Sequence, residues 1–329
     1  MTNSTTVKPY PLLFQPLLKE RVWGGRSLEQ FGLELPEGPI GEGWMIGDHP
    51  NGTTRVVNGA FAGAGLDDVR KQYGASFFGT KGEEFTGDNG RFPLLIKLLD
   101  CNDDLSVQVH PDNGYSKLPP GELGKTEMWY VLGAKPGSKI IYGLQPGKSR
   151  DDVARALQDG TIMDVLQLVD VQAGDSFYIP AGTVHALCAG VLVAEIQQNS
   201  DTTYRLFDYN RPGLDGKPRE LHIEDSLNVI AYEGSGATRM TTELAAPQQW
   251  LTLAESPYFR VEKAKVEGEW KLSTTPDSFV ILVVCDGGGE VTWPDGRIGV
   301  KPGDCLLLPA SLGDYALEGA FTVLRSYLP

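Results

Sequence analysis

Gln108 and His110 stand two apart in a stretch that reads as a β-strand, so both side chains leave the same face. Val107 and Val109 then turn the other way into packing, and Pro111 ends the strand at once. A polar pair on the inner face of a barrel strand is costly unless something satisfies it, and a metal ion would. Glu127 opens the next clear strand, and His185 closes the segment GDSFYIPAGTVH. Two imidazoles, one carboxylate and one amide oxygen are borderline-to-hard donors suited to zinc, iron or manganese, and they leave room for a water or substrate oxygen. His49 and His222 lack such companions and read as ordinary structural histidines.

Several charged residues could work beside such a centre. Lys97 is the one charge in the apolar run Leu94-Leu-Ile-Lys-Leu-Leu, and a buried ammonium should point at an anion, unless it snorkels to the barrel rim. Lys125 precedes Glu127 by two residues, which puts it on the same side, although a solvated loop lysine reads equally from the glycines before it. Glu195, Gln197, Asn199 and Asp201 share one face if their strand continues that far. Arg205 follows, and suits bidentate capture of a phosphate or stabilisation of an enediolate. A surface ion pair with Asp201 is its bland alternative. The formal net charge is -14, so any anionic substrate must be held by a few local cations.

The elements that must position these residues are mostly strands: 92–99, 105–109, 127–132, 138–142, 175–179 and 191–197, each bounded by Gly, Pro or Asp. Forty glycines and 22 prolines, scattered along the chain, fit short strands joined by tight turns. Helices are expected over 66–73, 150–168 with Ser149 as N-cap, and 223–230. The stretch GDSFYIPAGTVHAL (174–187) is echoed by GDCLLLPASLGDYAL (303–317), with Asp314 standing where the first copy has His185. The repeat predicts a mainly β protein of two related barrels, the second without a metal site. The expected division is 1–235, an N-terminal segment plus the catalytic barrel with a short helical insertion near 150–168, and 236–329, the degenerate second barrel.

Bulk composition narrows the class. The four cysteines, Cys101, Cys188, Cys285 and Cys305, form no CxxC pair, which argues against a zinc ribbon or a disulfide framework. No basic cluster suits a nucleic-acid partner, and no apolar run approaches a membrane span. The opening Met1 to Lys8 is polar and short, unlike a secretory signal, so the cytoplasm is the expected compartment.

The motifs Trp23-Gly-Gly, Gly41-Glu-Gly-Trp44, Leu95-Ile-Lys-Leu-Leu-Asp100, Leu105-Ser-Val-Gln-Val-His-Pro-Asp112, Lys125-Thr-Glu-Met-Trp-Tyr130, Ile179-Pro-Ala-Gly-Thr-Val-His-Ala186 and Glu195 through Arg205 occur in this order. Together they resemble type I phosphomannose isomerase (mannose-6-phosphate isomerase) in its short bacterial form, a zinc enzyme family of the cupin superfamily. The resemblance covers the first two-thirds of the chain, and the C-terminal third carries only the degenerate repeat. It implies two cupin-like jelly-roll barrels, and one Zn²⁺ per chain held by Gln108, His110, Glu127 and His185. It further implies an active-site Arg205, and Lys97, Lys125, Glu195 and Asp201 in substrate handling and proton transfer. The implied partner is a small sugar phosphate. Long members of the family carry a large helical insertion, whereas here Glu127 and His185 are only 58 positions apart. Two other classes share the donor set: an Fe(II) cupin oxygenase, for which Gln108 would be a bystander, and a non-enzymatic sugar-binding cupin. Glu42 reads either as a pocket residue or as part of a structural turn.

Overall fold

The computed structural model of the 329-residue chain describes residues 7–86, 90–233, 239–240, 244 and 246–329. Strands dominate, and among the described residues the longest α-helix has ten residues, so the fold is mainly β with a few short helices. Two compact units form. One joins Leu18–Trp44 to Ile96–Thr242; the other joins Met1–Leu17 and Met45–Leu95 to Glu243–Pro329. The chain therefore crosses between units four times. The boundary at 235/236 expected from sequence lies outside the described residues, as do Met1 to Thr6 of the polar opening.

The first unit contains two sheets. A five-stranded sheet runs Leu166–Asp170, Lys139–Leu144, His185–Leu187, Val107–Val109, Tyr204–Phe207. A seven-stranded sheet runs Arg239–Met240, Ser176–Ile179, Glu127–Ala134, Val191–Gln198, Leu94–Cys101, Ile40–Ile46, Leu17–Gly25. Side-chain alternation sorts the first sheet into two cores. Ile140, Tyr142 and Leu187 pack with Trp129, Val131, Phe177 and Val193 of the other sheet. Ile141, Val107, Val109 and Ala186 face the opposite way, against Val153 and Ala156 of the helix Arg150–Asp159 and Leu227 of the helix Ile223–Val229. Each such buried Val, Leu or Ile side chain stabilises by about 1.5–3 kcal/mol.

The helix expected over 150–168 begins as anticipated. Ser149 Oγ accepts the Asp152 N–H, and Asp152 returns a bond to the Ser149 N–H, a capping box. It ends early, at Asp159, because Gly160 takes the left-handed conformation (φ 73) that stops helices. A 3-10 turn, Ile162–Val165, follows, and Leu166–Asp170 becomes an edge strand paired with Lys139–Leu144. The other two expected helices stand as Leu66–Tyr73 and Ile223–Val229. Among the described residues no helix is long and apolar enough to cross a membrane.

In the second unit, Leu251–Glu255, Arg260–Ser273, Asp314–Tyr327, Val280–Trp293, Cys305–Leu308, Leu12–Gln15 and Arg55–Val56 form one sheet in that order, with Gly296–Val300 paired to Val280–Trp293. The echoed sequences build the same turn in each unit. Gly174 (φ 93) and Gly303 (φ 85) donate to Val131 O and Val284 O, both at 2.8 Å. The following aspartates, Asp175 and Asp304, accept the N–H of Gln172 and Lys301, both at 2.9 Å. A strand then leads to Pro180 or Pro309, and the next strand opens on His185 or Asp314.

Candidate metal centre and active-site cavity

His110, Glu127 and His185 are fully buried, and their ligand atoms lie within 4.8 Å of one another. Among the described residues this is the one cluster of three such groups. His185 sits opposite Gln108 in the strand register, and Arg205 sits opposite Gln108 on its other side. Three neighbouring strands thus present His185, Gln108 and Arg205 in one row. Glu127 comes from the facing sheet.

The histidines are oriented from behind. His110 Nδ1 lies 2.9 Å from Thr202 O, and His185 Nδ1 lies 2.8 Å from Thr183 O. Carbonyls only accept, so each Nδ1 carries the proton and each Nε2 lone pair is left to face Glu127, at 3.6 Å and 3.3 Å. Burial drives His110 well below the usual imidazole range and His185 down to about 4, so both imidazoles are neutral at pH 7. The Gln108 amide lies 3.3 Å from His185 Nε2, and its 180° rotation presents the carbonyl oxygen to the same point. Glu127 Oε1 lacks a hydrogen-bond donor among the described residues, whereas Lys125 Nζ lies 2.8 Å from Oε2. Two lone pairs and an under-satisfied carboxylate converging in a buried space fit a divalent cation.

Charges are layered around this cluster. Burial, and then the neighbouring Glu195, push Glu127 up to about 7. Burial opposes charge on Lys125, but Glu127 and Glu195 together hold its ammonium above the ordinary lysine value. Glu195 is also buried, yet Lys125 at 3.8 Å and Lys97 at 3.2 Å pull it down to about 2, and Trp129 Nε1 donates to it at 2.9 Å. Lys97 is therefore paired inside rather than snorkelling: only 4% of it is exposed. Further along the sheet, Glu42 accepts from Arg21 Nε and Trp44 Nε1, both at 2.7 Å.

A cavity of about 590 Å³ opens above these residues. Gln108, Lys97, Lys125, Glu195, Asp201 and Arg205 all line it, so every acid–base and cation candidate read from the sequence reaches one space. Glu42 and Trp23 line it too. The strand ends at Gln198, so Asp201 arrives on a loop rather than on the strand face. Arg205 donates to Ser106 Oγ at 3.2 Å and Glu220 O at 2.8 Å. Counting by twos along the ligand strands would have found Trp129 from Glu127 and Ser106 from Gln108; no local signal marks Arg219, which also lines the cavity. The glycines of Trp23-Gly-Gly and Gly41-Glu-Gly are packing residues: a Cβ on Gly24 would lie 2.4 Å from Gly41 N, and one on Gly41 2.5 Å from the Trp23 ring. His222 supports the site through its backbone contact, with Arg205 N–H donating to its Nδ1 at 3.2 Å. His49 lies in the other unit and accepts from the Asn51 N–H.

Comparison with known proteins agrees along the chain. The type I phosphomannose isomerase catalytic-domain model matches residues 12–129, and a mannose-6-phosphate isomerase cupin-domain model matches 249–328, where the sequence offered no quotable motif. The mannose-6-phosphate isomerase ManA of Bacillus subtilis (strain 168) is 40% identical over 321 residues, 97% of this chain and 99% of that protein. The mannose-6-phosphate isomerase of Streptococcus mutans is 37% identical over 319 residues, 96% of this chain and 98% of its own. A crystal structure of the Bacillus subtilis mannose 6-phosphate isomerase superposes with a TM-score of 0.86 at 36% identity, covering 96% of this chain and 99% of that one. A mannose 6-phosphate isomerase bound with zinc and yttrium, 17% identical, shares the fold with a TM-score of 0.72. Similar to such relatives over nearly their whole length, this chain belongs to the type I phosphomannose isomerase family, and it is an enzyme.

Proposed function

We propose that this enzyme interconverts mannose 6-phosphate and fructose 6-phosphate through a cis-enediol, with one zinc ion held by Gln108, His110, Glu127 and His185. The observation that carries this reading is a buried cluster of two neutral histidines and Glu127 in contact with Gln108 and Lys125, which line one cavity with Lys97 and Arg205 in a chain of net charge -14. Zinc is favoured by the N/O donor set and by the zinc-bound relative of the same fold. When bound, the ion supplies Lewis-acid polarisation of the oxygens on C1 and C2, worth several kcal/mol to the developing charge.

The remaining work falls to the chain. The reaction takes a proton from C2 of the open-chain aldose and returns one to C1, while a hydroxyl proton moves between O2 and O1. Asp201 is the better carrier of the carbon-bound proton. Glu195, held at about 2 by Lys125, Lys97 and Trp129, is a weak base whose charge fixes the two ammonium groups. Lys125 lies close enough to the ligand cluster to donate to a substrate oxygen near C2, and Lys97 orients Glu195. Arg205, whose hydrogen-bond partners are neutral, keeps charge available for the phosphoryl group. Positioned acid–base groups of this kind typically contribute about 10²–10⁴-fold.

The test is a coupled assay for fructose 6-phosphate formed from mannose 6-phosphate, run beside an oxygen electrode on ferrous-loaded protein. Product formation without oxygen uptake is the expected outcome. Oxygen consumption, or saturable sugar-phosphate binding without turnover, would move the chain to the oxygenase or the sugar-binding class.

A further inference from the structure

The backbone between the strand Val191–Gln198 and Asp201 is irregular yet buried, with Asn199 and Ser200 wholly shielded from solvent. Connecting segments normally run over a surface, because buried main-chain groups outside a sheet need other partners. Gln197 provides them. Its side chain is fully buried, and the residue sits opposite Glu127 in the strand register. Its Nε2 donates to Gln198 O at 2.7 Å and to Ser200 O at 2.6 Å. Carbonyls only accept, so the amide nitrogen must face them, and both its hydrogens are used. Among the described residues the Gln197 Oε1 is buried without a donor. An apolar side chain of equal length would fill the place without orphaning an oxygen, so what the nitrogen holds explains the carboxamide.

The turn held in this way carries two groups of the site. Ser200 Oγ donates to Leu123 O at 2.7 Å and accepts the Thr202 N–H at 3.2 Å. The Ser200 N–H closes back on Gln198 O at 2.7 Å. Thr202 O in turn accepts the His110 Nδ1–H at 2.9 Å. A short series of hydrogen bonds therefore runs from the Gln197 carboxamide through Ser200 and Thr202 to the ring of His110. Asp201, which lines the cavity, stands between Ser200 and Thr202 and is carried by the same turn.

We infer that Gln197 is a positioning residue: its carboxamide fixes the turn from Gln198 to Thr202, and through it the ring angle of His110 and the placement of Asp201. For its zinc and kinetic readouts this inference rests on the proposed function above. Groups that orient a metal ligand from behind typically contribute about 10- to 100-fold in metal affinity or activity. Gln197 acts through Thr202 rather than on the ligand itself, so the lower end of that range applies. Gln197→Met, equal in length and without donors, is expected to raise the zinc dissociation constant about tenfold in an indicator competition. At saturating zinc it should lower kcat about tenfold while KM for mannose 6-phosphate stays within about threefold. A glutamine that only stabilises the fold predicts a lower urea midpoint with zinc affinity and kcat unchanged, and that result in a folded variant overturns the inference. If the methionine variant does not fold, Ser200→Ala breaks the same series one step further on. The same shifts support the inference there, and wild-type zinc affinity and kcat refute it. If the wild type does not turn over mannose 6-phosphate, the proposed function fails first. Magnetic resonance of the chelated protein, labelled at its histidine nitrogens, then decides the positioning separately. A His110 Nδ1–H protected from exchange in the wild type and exposed to it in Gln197→Met supports the inference, and equal protection in both proteins, or none in either, refutes it.

Discussion

Lys97→Met removes one of two ammonium groups that face Glu195 and leaves a side chain of similar length. Lys97 Nζ lies 3.2 Å from Glu195 Oε1, and both residues are almost wholly buried, so solvent screens the pair little. Two unit charges at that distance attract by about 5 kcal/mol at an effective dielectric near 20, before desolvation is counted. Removing one partner of a buried pair typically costs about 3–5 kcal/mol, because the other charge stays behind. Here Glu195 keeps Lys125 at 3.8 Å and the Trp129 N–H at 2.9 Å, so a loss of about 2–4 kcal/mol is expected. Glu195→Gln should also destabilise, since Lys97 and Lys125 then repel without an intervening anion. The double variant should be less damaged than the sum, with a coupling of about 2 kcal/mol or more. Urea unfolding of the four chelated proteins at pH 7 measures this cycle. Additivity within about 0.5 kcal/mol would refute the claim that Glu195 is the hinge of the charge network.

The pH dependence of metal binding follows from the protonation of the ligands. Glu127, pushed up to about 7, holds a proton that an incoming ion must displace below that pH, whereas His185, at about 4, and His110, also held well below the usual imidazole range by burial, stay neutral there. Affinity should therefore fall about tenfold per pH unit from pH 6.5 to 5; a slope of two or three in an indicator competition would mean ordinary histidines. Gly24→Ala should destabilise by about 1–3 kcal/mol, since its Cβ would meet the Gly41 backbone nitrogen at 2.4 Å, and a wild-type urea midpoint would contradict that packing. Burial pushes Cys188 up to about 12, and Cys101, Cys285 and Cys305 also well above the usual thiol. Disulfide-exchange reagents at pH 8 should accordingly react slowly with the native protein and reach all four thiols only in denaturant.

Much of the centre was legible because it is built on period-two strands. Gln108 and His110 point inward because Val107 and Val109 pack outward, and Lys97 was expected to face an anion because its strand is otherwise apolar. The paired glycine–aspartate turns were visible as an internal echo and recur hydrogen bond for hydrogen bond. Legibility failed where contacts are long-range or where one residue ends an element. The pairing of Leu12–Gln15 with Cys305–Leu308, which draws the N-terminal segment into the second unit, has no local signature. Gly160 cut the helix expected to reach residue 168, and the strand after it owes its state to pairing with Lys139–Leu144. Arg219 reaches the cavity through a hairpin stitched to Arg205, which spacing alone does not reveal.

Zinc titration into the fully chelated enzyme, with mannose 6-phosphate turnover recorded at each addition, tests the central claim most directly. The four-ligand centre predicts no turnover without metal, and a linear rise that stops at one equivalent per chain. Full turnover in the metal-free protein, or a rise continuing well past one equivalent, would contradict it.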